Sequence, residues 1–205
     1  MQLFPFLNRK QRLTGTAAFL LLTLGLLGFD GQAQSISKPK RKNLRKPDVI
    51  FVPTPPETVE EMLRLARIKK GDVLYDLGSG DGRIPIRAAE EYGIHAVGID
   101  IDPKMIAVAE EAAQQAGVAD KVRFRNEDLF RANIREATIV TLYLSDVLNL
   151  KLRPKLLRDL RPGTRIISHD FRMGDWKPDQ TVRVPWKTLY RTVYVWTVPR
   201  GGRIR

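Results

Sequence analysis

The stretch Asp76-Leu77-Gly78-Ser79-Gly80-Asp81-Gly82 governs how the rest of the chain reads. The short apolar run before it, residues 72–77 (DVLYDL), predicts a buried strand, and residues 84–92 after it carry apolar side chains at helical spacing. Strand, glycine turn and helix in that order bring bare backbone to the carboxyl end of a strand, where a ligand can approach closely because glycine has no Cβ.

The same alternation continues on both sides. Upstream, Thr54-Pro55-Pro56-Glu57 has the spacing of a capping box with proline at the first helical position, and Val59, Met62, Leu63 and Ala66 recur at helical period up to about Gly71. Downstream, residues 96–100 (AVGID) predict a second strand, and Asp102-Pro103 caps a helix running to about Ala116. Residues 122–125, 137–143 and 165–168 predict three more strands, with a helix containing LRPKLLRDL before the last of them. Residues 181–184 and 188–198 have no helix between them and predict a terminal antiparallel pair. The expected fold is therefore α/β: a doubly wound, mostly parallel seven-stranded sheet of Rossmann type ending in that pair, with ligands at the carboxyl ends of the strands.

Three details of the turn select the ligand. Its spacing is GxGxG and not the GxGxxG of dinucleotide sites. Asp76 stands two residues before Gly78, where a carboxylate suits an ammonium group and repels a pyrophosphate. Asp100 ends the second strand 22 residues after Gly78, where an acid accepts both hydroxyls of a ribose. Asn126-Glu127-Asp128-Leu129 then follows the third strand and offers Asp128 to an exocyclic amine. Any one of these acids alone reads as a loop cap; together they point to S-adenosylmethionine as cofactor.

At this point the chain resembles a known group. DLGSGDGR followed by VGIDID is similar to the first motif and acidic strand of class I S-adenosylmethionine-dependent methyltransferases, across about residues 48–198. The set FVPTPPETVEEMLRLA, DLGSGDGR, LRPKLLRDLRPGTRIISHDF and GDW resembles small bacterial methyltransferases and, more distantly, the protein-lysine methyltransferases acting on the mitochondrial adenine nucleotide translocase and the ATP synthase c-subunit. The resemblance implies that Thr54, Asp76, Gly78, Gly80, Gly82, Asp100 and Asp128 match cofactor-binding positions; Ser79, Ile101 and Leu129 are grouped with them as their neighbours. It is specific for fold and cofactor and much weaker for substrate.

Composition removes other chemistries. The 205 residues contain no cysteine, which excludes disulfides, zinc ribbons and thiolate nucleophiles, including cytosine carbon-5 methylation through a thiolate adduct; no metal site is expected. The net charge of +12 is concentrated at one end. Residues 1–47 hold nine Lys/Arg against one acid, and the remainder holds 26 against 22, so charge gives no argument for a nucleic-acid partner. Strand four runs into Thr141-Leu142-Tyr143-Leu144-Ser145-Asp146, where amide and adenine-amine methyltransferases carry Asn/Asp-Pro-Pro-aromatic.

For catalysis, Tyr143 falls where the methyl group should lie, and Ser168-His169-Asp170-Phe171 ends strand five at the same edge. Tyr143 either lines the sulfonium or is a core aromatic. His169 either takes a proton from an attacking amine or is a loop residue, and Asp170 can hold that amine as an ammonium. His95 is expected at the surface, and Trp176 either forms a lid or covers the sheet end. The expected activity is N-methylation of a protein lysine, with a small or lipophilic acceptor as the alternative and a non-catalytic cofactor-binding module as the third reading.

The N-terminus reads as an anchor or an address. Arg9, Lys10 and Arg12 precede 17 uncharged residues, 13–29, close to the lower limit of about 17 for crossing a bilayer. Gly31-Gln32-Ala33 suits a signal peptidase. Six basic residues follow the run against three before it, which predicts a membrane-anchored protein with its body in the cytoplasm; export after cleavage near Ala33 is the alternative. The expected organisation is residues 1–33 as anchor or signal, 34–48 as a basic linker and 49–205 as the methyltransferase domain, with an unidentified methyl acceptor as partner.

Overall fold

The computed structural model describes residues 44–202. The anchor or signal segment and most of the linker expected at the N-terminus lie outside the described residues. Among the described residues, no helix is long and apolar enough to cross a membrane.

The elements run in the order α1 (Pro56–Leu65), β1 (Val73–Leu77), α2 (Arg83–Tyr92), β2 (His95–Asp100), α3 (Pro103–Gln115), β3 (Val122–Asn126), β4 (Ile139–Leu142), α4 (Asp146–Asp159), β5 (Arg165–His169), β6 (Gln180–Trp186) and β7 (Leu189–Thr197). The strands form one seven-stranded sheet in the order β3-β2-β1-β4-β5-β7-β6. The first five strands in that order pair in parallel; β7 runs antiparallel to both β5 and β6. The expected doubly wound sheet with its terminal antiparallel pair is the observed one.

The sheet separates two cores. On one side Leu74, Ile139, Ile167 and Val193 pack against α1, α2 and α3 through Met62, Leu63, Ala88 and Ala109. On the other, Tyr75, Leu77, Val140, Ile166 and Trp196 pack against α4 through Leu152 and Leu156. Alternate residues of β1 thus serve opposite faces, as a two-residue period requires. Each fully buried aliphatic side chain contributes about 1.5–3 kcal/mol, which is why α4 stays attached despite Pro154 in its interior. Strand order reverses between β1 and β4, and the crevice above their carboxyl ends is the expected ligand position for an open α/β sheet.

Two local readings change. Pro55, and not Thr54, occupies the cap position of α1, no side chain caps that helix, and it ends at Leu65. The Thr54 hydroxyl lies instead beside His169, because the residue before a proline pair is held extended and points away from the helix it precedes. Trp176 is buried against Trp196, whose indole N–H donates to the Trp176 carbonyl at 2.9 Å. It covers the sheet end, and it forms no lid.

Candidate active site

The glycine turn needs the backbone that only glycine adopts freely. Gly82 has φ +80°, and a Cβ there would lie 2.5 Å from Phe124 and 2.8 Å from Ala109. The turn is tied to β2: Gly78 and Ser79 N–H groups both donate to the Ile99 carbonyl, at 2.8 and 3.1 Å. It opens onto a cavity of about 910 Å³, mouth included, at the switch point of the sheet.

Six aspartates line this cavity, Asp48, Asp81 and Asp102 together with the three that the sequence singled out, Asp76, Asp100 and Asp128. Asp76 is buried, Thr141 donates to its Oδ1 at 2.7 Å, and burial pushes its pKa up to about 7. Asp100 accepts backbone N–H groups from Gly80 and Asp102, both at 2.8 Å, and burial raises its pKa. Asp128 accepts from the Phe130 N–H at 3.0 Å and from Arg45 Nε at 3.0 Å; although burial opposes it, the Arg45 pairing holds its pKa below the usual carboxylate value. Gly78, Ser79, Ile101 and Leu129 also line the cavity, as does Thr54.

Sequence reasoning missed several participants. Asn126 donates to the carbonyls of Asp100 and Ile101 at 3.1 and 3.0 Å, and so shapes the turn beyond β2; its place opposite Asp100 in the parallel register was the available signal. Arg83 binds Asp81 with both Nε and Nη2 and donates from Nη1 to the Thr54 carbonyl at 2.8 Å, fixing the segment before α1 over the turn. Arg45, within the expected linker, and Phe51 and Val52, just before α1, line the cavity. Periodicity carries no information about a segment held by its end contacts.

The structure brings the three catalytic candidates together. Tyr143 lines the cavity, and its ring stacks on His169 at 3.8 Å and on Phe171 at 5.7 Å. His169 is fully buried behind it, and burial pushes its pKa down to about 4 against the opposing pull of Asp170. Asp170 adopts φ +59°, accepts the Thr192 N–H at 2.7 Å and Arg191 Nη1 at 3.1 Å, and lies 3.3 Å from His169 Nε2. His95 is exposed at the start of β2, away from this group.

A model of the ANTKMT methyltransferase domain matches residues 76–180, half of the chain. The chain belongs to the ANTKMT methyltransferase family. It is 38% identical to the protein-lysine N-methyltransferase of Saccharolobus islandicus (strain REY15A), over 74% of this chain and 95% of that protein. It is 34% identical to the lysine N-methyltransferase of the ATP synthase c-subunit from Mus musculus, over 78% of this chain and 64% of that protein. Among solved structures it is similar to an RNA methyltransferase from Salinibacter ruber in complex with S-adenosyl-L-homocysteine, with 56% identity and a TM-score of 0.69, covering 73% of this chain and 95% of that one. Membership in the ANTKMT family agrees with the resemblance carried by the motifs, and the chain is an S-adenosylmethionine-dependent methyltransferase.

The residues present fit that cofactor. The cavity is lined by carboxylates and apolar side chains, which suits a ligand with an ammonium, a diol and a flat base. Ser79 Oγ is buried at its wall with no hydrogen-bond partner, a polar atom that a bound ligand can satisfy. Among the described residues no cluster of His, Asp and Glu could hold a metal ion.

Proposed function

We propose that the chain is a protein-lysine N-methyltransferase whose cofactor lies across the carboxyl ends of β1, β2 and β3, with the acceptor lysine entering beside Tyr143. The observation that carries the reading is the 38% identity to an archaeal protein-lysine N-methyltransferase across 95% of that protein. The site chemistry supports it. Asp76 would hold the cofactor's ammonium, Asp100 its ribose hydroxyls, and Asp128, which also pairs with Arg45, the amine of its base. When bound, the cofactor supplies an electrophilic methyl group that an uncharged amine can take.

The chain's own residues then orient the amine and exclude water. Tyr143, Leu144 and Leu148 form an apolar part of the cavity wall, along which a lysine stem can lie. Desolvation there disfavours the ammonium form of the incoming lysine and promotes its deprotonation.

A nucleic-acid acceptor is the second reading, favoured by the 56% identical structure described as an RNA methyltransferase. Against it stands the weak charge excess of residues 48–205, and the missing Asn/Asp-Pro-Pro-aromatic motif after β4 counts against an adenine amine in particular. The full chain incubated with cell extract and S-adenosylmethionine labelled on its methyl group separates the two. Label removed by protease and retained after ribonuclease supports the protein acceptor; the reverse sinks it.

We also infer that residues 13–29 anchor the enzyme to a membrane, which puts it near membrane-protein acceptors. The length of the uncharged run and the six basic residues after it support this. Recovery of the full chain in the alkali-washed membrane pellet is expected, and recovery in the soluble fraction, with the chain beginning at Gln34, contradicts it.

A further inference from the structure

Thr54 is placed as though for a purpose other than capping α1. Its hydroxyl lies 3.2 Å from His169 Nδ1, its side chain lines the cavity wall, and only 4% of the residue is exposed. Its backbone is fixed from both sides. Pro55 and Pro56 restrict the chain after it, and Arg83, clamped on Asp81, holds its carbonyl at 2.8 Å. A buried hydroxyl on a rigid segment, facing a ligand cavity on one side and an imidazole on the other, is a preorganised arrangement.

The far side of the ring sets its tautomer. His169 Nε2 is buried and has no aligned hydrogen-bond partner, yet Asp170 Oδ2 stands 3.3 Å away. A carboxylate accepts only, so the proton of the neutral ring belongs on Nε2, where Asp170 attracts it. Nδ1 is then the acceptor, and the Thr54 hydroxyl donates to it. This orientation leaves the Thr54 oxygen's lone pairs for the cavity. The charged groups facing the ring are Asp170, which favours its protonation, and Arg191, which opposes it; Tyr143 covers its face. Burial keeps the ring neutral near pH 7 and disfavours its protonation, and the Asp170 carboxylate beside Nε2 offsets part of that cost when Nδ1 takes a proton.

We propose, resting on the lysine reading above, that Thr54 is a catalytic residue whose hydroxyl takes a proton from the acceptor lysine and passes its own to His169 Nδ1, with Asp170 as the positioning residue that fixes the ring. One N–H bond of the lysine ammonium breaks as an O–H bond forms at Thr54 Oγ1, and the threonine's original hydrogen moves to Nδ1. The freed pair on Nζ forms the new N–C bond, and the electrons of the broken C–S bond stay on sulfur, leaving a neutral thioether. The methylated product is again an ammonium. The proton on His169 returns through Thr54 to water when the product leaves, restoring the neutral ring.

The test compares Thr54→Val, which keeps shape and removes the hydroxyl, with Thr54→Ser, which keeps it. Full-length enzyme is given bacterial membrane-protein extract and labelled S-adenosylmethionine, and methyl-lysine is counted. Thr54→Val is expected to lose about 100-fold in rate, in the range general for a lost proton acceptor, and to recover in part at high pH, where lysine is already deprotonated. Thr54→Ser is expected to lose less than about tenfold. Because Thr54 also lines the cofactor cavity, S-adenosylhomocysteine affinity is measured by calorimetry alongside, and the loss of rate in Thr54→Val should exceed its loss of affinity by at least about tenfold. Independently of turnover, nitrogen NMR of ring-labelled histidine, simplified because the chain has two histidines, should show His169 neutral with its proton on Nε2. A Thr54→Val enzyme at wild-type rate, equal losses in Val and Ser, loss of cofactor affinity in step with rate, or a proton on Nδ1 would each overturn the proposal. If wild type itself makes no methyl-lysine, the lysine reading falls and takes this proposal with it; the wild-type control separates that failure from the others.

Discussion

Asp100 Oδ2 accepts the backbone N–H of Gly80 at 2.8 Å, so the acid ending β2 is fastened to the glycine turn leaving β1. Its other oxygen accepts the N–H of Asp102, and Asn126 braces the carbonyls of Asp100 and Ile101 from β3. One carboxylate therefore both shapes the turn and presents acceptors to the cavity.

Removing that carboxylate should weaken cofactor binding without unfolding the sheet. Asp100→Ala leaves the Gly80 N–H and the ligand's hydroxyls without their acceptor, at about 1–3 kcal/mol, or about 5- to 150-fold in affinity. Calorimetric titration with S-adenosylhomocysteine measures it. Unchanged affinity would remove Asp100 from the site.

Asp76 makes binding pH-dependent. Burial raises its pKa to about 7, so in the free enzyme it is largely protonated below that value. The ligand's ammonium favours the charged form, so binding releases a proton near pH 6, and affinity rises with pH up to about 7 and then levels. Titrations in two buffers of different ionisation enthalpy at pH 6 should differ by that proton, and Asp76→Asn should abolish the difference.

The same shift affects stability with a definite sign. The folded state holds this proton more tightly than the unfolded one, so Asp76's contribution is fully present below about pH 4 and is lost as pH rises through about 7. The loss is up to about 4 kcal/mol in the ligand-free protein. Urea unfolding of wild type and Asp76→Asn between pH 4 and 8 should converge at the acid end; parallel curves would show that Asp76 is not titrating there.

Trp176 distinguishes a cover from a lid. It is 5% exposed and packed on Trp196, so Trp176→Ala should cost about 3–5 kcal/mol of stability. At a temperature where the variant remains folded, its turnover should stay near wild type. Loss of turnover with an unchanged melting temperature would restore the lid.

Much of this was legible in the sequence. The GxGxG turn, Asp76 and Asp100 pointed to fold and cofactor because they sit at strand ends, where period and spacing place side chains directly. The terminal strand pair was legible because no helical period separates residues 180–197. The role of Thr54 was not. Its spacing to Glu57 satisfies a local capping rule, and the contact that replaces the cap comes from His169, 115 residues away. Arg45 and Arg191 were hidden for the same reason: their partners, Asp128 and Asp170, lie on other elements.

The central claim is methyl transfer to protein lysine, and the most direct measurement is amino-acid analysis of total protein from cells expressing either the wild-type chain or Asp100→Ala. After acid hydrolysis and mass spectrometry, wild type should yield methylated lysine above the level of the variant. Equal methyl-lysine in the two, with a new methylated nucleoside or small molecule appearing only with wild type, would contradict the account.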